Sequence, residues 1–171
     1  TPLIRPDGSC GFEAAPVDGL YCGLLYQELH ADNFDWTRHT GGTPSQDTGP
    51  SGAASGAQYM YIEASSPRVS GDTATLRTPP LLGGTANLRM KYHMHGSTPG
   101  ALRIELGGAE LFSKAGDQGS AWMEVQGPVT VPPGAQLSIV AVRGSDWSGD
   151  IAIDDFELQE TSEAAPAPAP A

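Results

Sequence analysis

The stretch "KYHMHG" places His93 and His95 one residue apart. On a strand both rings point to the same side, which is how some zinc sites present two imidazoles. Arg89 and Lys91 share that face, however, and two nearby cations oppose a third positive charge. No third ligand stands close in sequence. The expectation is therefore architectural: Leu88, Met90, Tyr92 and Met94 face the core, and the two histidines are solvated or covered by a loop. A second constellation is "GDIAIDDFEL". Ile151 and Ile153 alternate, and so do Phe156 and Leu158, but the step between the two pairs is three residues. A β-bulge at Asp154–Asp155 accounts for the slip, and a strand buried on both faces is the alternative. Adjacent carboxylates at such a place suit calcium, which takes several hard oxygen ligands. Asp146 and Asp150 surround Trp147 in "RGSDWSGD". That tryptophan serves either as an adhesive or sugar-stacking contact or as cover folded onto the sandwich edge. Catalytic patterns are missing: there is no "GxSxG" elbow, no phosphate-binding glycine loop, and no feature that assigns an acid and a nucleophile to any carboxylate pair.

The elements that must position these residues are short strands. The chain has 171 residues, enough for one domain with a real core. Its 22 glycines and 15 prolines punctuate brief apolar runs, which reads as an all-β chain. "DNFDWTRH" alternates Phe34 and Trp36 with polar neighbours, and Trp36 and Trp122 are expected in the core. "AQYMYIEASS" is β-prone and buried. "NLRMKYHMHG" and "ALRIELGG", joined by "STPG", read as a hairpin. "TGGTPSQDTGPSGAASG" must be a long surface loop, and loops of that length are usually functional. About ten strands with alternating faces imply two antiparallel sheets packed as a jelly-roll β-sandwich. The tail "TSEAAPAPAPA" is an extended spacer, so the chain reads as one module of a longer protein.

Charge and length exclude some partners. Acidic residues outnumber basic ones 20 to 9, for a formal charge of −11, and no basic stripe exists to displace counterions from nucleic acid. No apolar run approaches the roughly 18 residues needed to span a bilayer, and the start "TPLIRPDGSC" shows no signal-peptide apolar region. Cys10 and Cys22 flank "GFEAAPVDGLY", which could fold back. A bridge there would contribute about 3 kcal/mol in the chain-entropy model and imply an oxidising compartment, with two free thiols as the alternative.

Five segments in order carry a resemblance. "CGFEAAPVDGLYCGLLYQELHADNFDWTRHTGGTPSQDTGP", "YMYIEASSPRVSGDTATLRTPPL", "MKYHMHGSTPGALRIEL", "GDQGSAWMEVQ" and "VRGSDWSGDIAIDDFEL" together resemble a MAM domain, the module named for meprin, neuropilin and receptor tyrosine phosphatase mu. The resemblance implies residues 1–9 as an N-terminal extension, 10–160 as the domain and 161–171 as an Ala/Pro linker. It implies an extracellular, secreted or surface-displayed adhesion module that binds a cell-surface or matrix protein, homophilically in some members, without catalysis. It also supports the Cys10–Cys22 bridge. This chain is a divergent case, because the family's usual second cysteine pair is missing: "TANLRM" and "QETSEA" stand at the two places. In jelly-roll modules the first and last strands commonly lie close and calcium often links them. That likeness implies a structural calcium held by Glu13 with Asp154 or Asp155, and with Asp32, Asp35 or Asp47 as further ligands; salt bridges or loop amides are the alternative partners for these carboxylates. A carbohydrate-binding module of the same fold is the rival function, with Trp147 and Tyr59 or Tyr61 as the sugar platform.

Overall fold

The computed structural model describes residues 3–28, 34–43, 48–62, 69–145 and 149–161. Eleven strands form there: β1 (Gly8–Cys10), β2 (Tyr26–Gln27), β3 (Thr37–Thr40), β4 (Gln58–Ile62), β5 (Thr73–Arg77), β6 (Gly84–Met94), β7 (Ala101–Leu106), β8 (Ala109–Ala115), β9 (Met123–Val131), β10 (Leu137–Val142) and β11 (Ile151–Glu160). One sheet runs β3-β4-β11-β6-β9 with β1 also paired to β11, and the other runs β2-β5-β10-β7-β8. Every pairing between these strands is antiparallel. The result is a β-sandwich, as the alternating pattern implies.

Leu88, Met90, Tyr92 and Met94 of β6 are buried between the sheets opposite Leu102, Ile104 and Leu106 of β7. Each such side chain contributes about 2 kcal/mol by leaving water. The pairing, however, corrects the expected hairpin. β6 hydrogen-bonds β11 and β9, whereas β7 bonds β10 and β8. The "STPG" segment carries the chain from one sheet to the other. Inward apolar residues on both strands suit two facing sheets as well as a hairpin, so the alternation alone does not separate them. Glycines make the crossing possible: a Cβ on Gly100 would overlap the Val142 carbonyl, and one on Gly144 or Gly149 would overlap that of Thr98. Backbone therefore meets backbone where the chain changes sheets.

Three other expectations are adjusted. β3 begins at Thr37. Phe34 and Trp36 precede it, and Trp36 is buried with its indole N–H donating to the Ala74 carbonyl at 3.1 Å. The segment before Cys10 belongs to the sandwich: Gly8–Cys10 pairs with β11, and Ile4 N–H donates to the Pro80 carbonyl. Finally, the second half of the long loop is laid against the protein, with Thr48 and Pro50 buried. Cys10 and Cys22 are joined in a disulfide with Cα atoms 5.5 Å apart.

Candidate functional site

The closing strand β11 organises the outer face of the larger sheet. Its first half, Ile151–Ile153, pairs with β4, and its second half, Phe156–Leu158, pairs with β1 along the same edge. Between them the register with β6 shifts from Asp154 to Glu157. This is the bulge that the three-residue step foretold, and Asp155 there takes a left-handed φ of 50°. The bulge ends one partner strand, begins another, and turns two carboxylates toward the incoming loop.

Those carboxylates hold the segment that leads into β4. Asp154 Oδ2 accepts N–H bonds from Ala54 (3.0 Å) and Ser55 (3.2 Å), and its Oδ1 accepts one from Asp155 (2.8 Å). Asp155 Oδ2 accepts the Ser55 hydroxyl at 2.7 Å. Glu13, one residue beyond the positive-φ Phe12, accepts from the N–H groups of Ala57 and Gln58 at 2.9–3.2 Å. Three carboxylates from both ends of the chain thus converge on residues 54–58. The two amide bonds hold the Glu13 carboxyl below its ordinary range. Asp154 is fully buried, and burial pushes its pKa up to about 6 against the pull of its hydrogen bonds.

Of the calcium ligands expected from sequence, the structure brings Glu13, Asp154 and Asp155 to this junction. Asp35 lines a separate cleft, and Asp32 and Asp47 lie outside the described residues. The donor set is oxygen-only, and among the described residues no salt bridge neutralises any of the three. Oxygen donors are the kind calcium takes. The carboxylates are nonetheless engaged by loop donors, and among the described residues no three acidic or histidine side chains are gathered into a metal shell.

Beside the junction the outer face is covered by aromatic rings. Tyr59, Tyr61 and Ala152 form a second buried cluster with Ala53 and Trp122 packed on it. Trp122 is therefore half-buried outside the sandwich rather than in its core. Its indole N–H donates to the Gly52 carbonyl at 3.1 Å, tying the loop down again. Tyr59 is fully buried and Tyr61 is 5% exposed, so neither offers a sugar-stacking platform. His93 is buried under the same cover, its ring 5.4 Å from that of Trp122 and its Nε2 bonded to the Ser120 carbonyl at 3.0 Å. His95 Nδ1 lies 3.4 Å from Asp117 Oδ1. His93 is covered and the His95 side chain stays 34% exposed, so the two alternatives of the expectation divide between them; the rings are edge-to-face with centroids 6.2 Å apart.

Burial lowers the His93 pKa, so the folded protein holds it neutral. Stability from this group is present above its unfolded value of about 6.5 and is lost as pH falls through the folded one. Asp154 has the opposite sign: its contribution is greatest below the ordinary aspartate range and is lost as pH rises through about 6. Melting temperature should therefore fall from pH 7.5 to 6, and the fall should ease as Asp154 takes up its proton below that. In His93→Gln, thermal scans over the upper window should give a flatter profile; an unchanged slope would assign it elsewhere.

Sequence reasoning missed a polar cleft of about 570 Å³ on this face, lined by Ser9, Ser55, Arg89, Lys91, Asp155 and Glu157, among others. Arg89 contacts Glu124 at 3.1 Å and Glu157 at 3.8 Å. Lys91 stands opposite Asp154 in the ladder and makes no salt bridge among the described residues. The available signal was the outward row Arg89–Lys91, which opposes metal binding and equally supplies contact charges. Asp146 and Trp147 lie outside the described residues.

Where the family's second cysteine pair is missing, threonines meet instead. Thr85 and Thr161 hydroxyls are 2.7 Å apart, and Thr161 N–H donates to the Thr85 carbonyl at 3.1 Å. The closing strand is tied at its end by hydrogen bonds as well as by the packing of Phe156 and Leu158.

Comparison with known proteins fits this architecture. The profile of the MAM domain, meprin/A5/mu, matches residues 10–162. The chain is 36% identical over 171 residues to MAM domain-containing glycosylphosphatidylinositol anchor protein 1 of Gallus gallus, covering 90% of this chain and 17% of that protein. It is 33% identical over 167 residues to human MAM domain-containing protein 2, covering 92% of this chain and 23% of that protein. The chain thus spans less than a quarter of the length of these relatives. Among solved structures, the K1 cleaved adhesin domain of Lys-gingipain from Porphyromonas gingivalis W83 aligns with a TM-score of 0.59 at 16% identity, over 90% of this chain and 97% of that one. That likeness is one of fold. With the profile matched from the first cysteine to the end of the closing strand, the chain belongs to the MAM domain family, a module of the extracellular, adhesion type.

Proposed function

We propose that this module recognises a protein partner at the cell surface or in the matrix without catalysis, through the charged cleft on the outer face of the larger sheet. The observation that carries the reading is the cleft's composition. Cations at Arg89 and Lys91 stand beside anions at Glu124, Asp155 and Glu157, with hydroxyls at Ser9 and Ser55. Such a surface is electrostatically self-complementary: across a two-fold axis, Lys91 of one copy meets Glu157 of another. A second copy of the module is accordingly the first partner to test. The carboxylate-held loop supplies one wall and fixes Ser55.

Calcium belongs to the same proposal. Glu13, Asp154 and Asp155 are the residues that would hold it, and the ion would add to the positive charge that Arg38 and Lys91 already bring near these carboxylates. Its role is structural, joining the first and last strands to the loop. The isolated module then needs calcium for full order of the recognition face.

Bead aggregation with the purified module tests the recognition surface. Wild-type beads should cluster, Lys91→Glu beads and Glu157→Lys beads should each fail to cluster alone, and mixing the two variants should restore clustering. Clustering that ignores both reversals would contradict the assignment of the cleft.

A further inference from the structure

A second cleft, of about 620 Å³, lies away from the outer face and has a different character. Its walls include Pro16, Tyr21, Tyr26 and Pro79, and its rim carries Asp18 and Asp35. No lysine or arginine is among its described lining residues. Val17, next to Pro16, stands 73% exposed, the most exposed large apolar side chain among the described residues.

The walls are fixed before any ligand arrives. Tyr21 is 8% exposed and packs edge-on against Phe12, with ring centroids 5.9 Å apart. The neighbouring Cys22 is bridged to Cys10. The Tyr26 hydroxyl accepts from the Gln136 side-chain amide at 2.9 Å. The Gln27 amide is spent on Trp36, donating to its carbonyl at 2.6 Å and accepting its N–H at 3.1 Å. What the cleft offers is thus the proline rings of Pro16 and Pro79, the accessible part of Tyr26 and two exposed carboxylates, with the largely buried Tyr21 behind them. Aromatic and proline surfaces in a preformed groove suit the rigid rings of a polyproline II segment, which loses little entropy on binding. The rim chooses the sign of the charge: two carboxylates without a cation among the described lining residues favour lysine or arginine, whose aliphatic stems also cover tyrosine and proline.

We propose that this cleft binds an extended, proline-containing peptide segment bearing lysine or arginine, independently of the outer-face cleft. Proline rings lie against Tyr26, Pro16 and Pro79, and the cationic side chain reaches Asp18 and Asp35.

The test is nuclear magnetic resonance titration of the whole module with acetyl-Pro-Arg-Pro-Pro-Arg-Pro-amide and with the same peptide carrying glutamate for arginine. The arginine peptide should shift the signals of Tyr21 and Tyr26, and raised salt should weaken it. The double variant Asp18→Asn/Asp35→Asn should lose at least tenfold in affinity while remaining folded, because asparagine tolerates the left-handed φ of 51° at position 18. Lys91→Glu should leave this binding unchanged, so failure of the outer-face reading would not carry over. Equal binding of the glutamate peptide, no effect of the double variant, or absence of shifts at millimolar peptide would overturn the proposal. Transfer of the shifts to the Arg89–Lys91 face would do so as well.

Discussion

Thr85→Cys/Thr161→Cys is expected to form a disulfide spontaneously and to stabilise the domain by about 3 kcal/mol. The two hydroxyl oxygens are 2.7 Å apart, and the residues continue a ladder in which Glu160 faces Ala86. Directly opposed residues of an antiparallel pair have Cα atoms roughly 4.5–5.5 Å apart, within disulfide range. The sequence separation is 76. The chain-entropy model assigns a loop of that size about 4 kcal/mol, and some of it will be lost to native-state adjustment. A rise in melting temperature of about 9 °C follows for a domain of this length. Comparison of the oxidised variant with oxidised wild type measures it while keeping Cys10–Cys22 intact in both. A bridge that forms without raising the midpoint would mean that the end of β11 frays early in unfolding and that the threonine pair contributes little.

The second large effect is at the bulge. Asp154→Ala should cost about 2 kcal/mol in urea unfolding at pH 7. Two opposing terms decide it. Removing the carboxylate relieves the burial that pushes its pKa up to about 6. It also strands the N–H groups of Ala54, Ser55 and Asp155, at about 1–3 kcal/mol for each buried donor left unpaired. The hydrogen-bond loss wins, moderated by water reaching exposed Ser55. Asp155→Ala loses one hydroxyl bond at the exposed edge and places alanine at the left-handed φ of 50°, and should cost about 1–2 kcal/mol. An Asp154 variant as stable as wild type would show that the loop does not depend on this side chain.

Much of this architecture was readable residue by residue. The period-two run from Leu88 to Met94 fixes which face of β6 is core, and burial follows it. The three-residue step from Ile153 to Phe156 marks the bulge because a ladder with period two has no other way to keep both pairs inward. The sheet crossing between β6 and β7 was not readable from alternation, since inward residues look the same in a hairpin and in facing sheets. Its signal was Gly100 together with Gly144 and Gly149, a pair far from it in sequence that meets the 98–100 segment only in the fold. The burial of Tyr59 and Tyr61 had a similar obstacle. Their cover is a glycine- and serine-rich loop that contributes backbone and a few small side chains, not an apolar stripe. The unbroken run "YMYI" nonetheless signalled a strand buried on both faces, which is inconsistent with a sugar platform at those tyrosines. Glu13 and the bulge aspartates, which the jelly-roll likeness grouped as calcium ligands with loop amides as the alternative partners, accept from amides at 54–58, positions that could not be read from a loop without periodicity.

Carboxylates from both ends of the chain hold residues 54–58 in place beside the proposed recognition face. Amide hydrogen exchange of Ala54, Ser55, Ala57 and Gln58, with calcium and with a chelator, in wild type and in Asp154→Ala, tests it most directly. Slow exchange is expected at all four amides in wild type, slower still with calcium, with loss of protection at Ala54 and Ser55 in the variant. Exchange at unprotected rates in wild type under both conditions, or equal protection in wild type and Asp154→Ala, would contradict it.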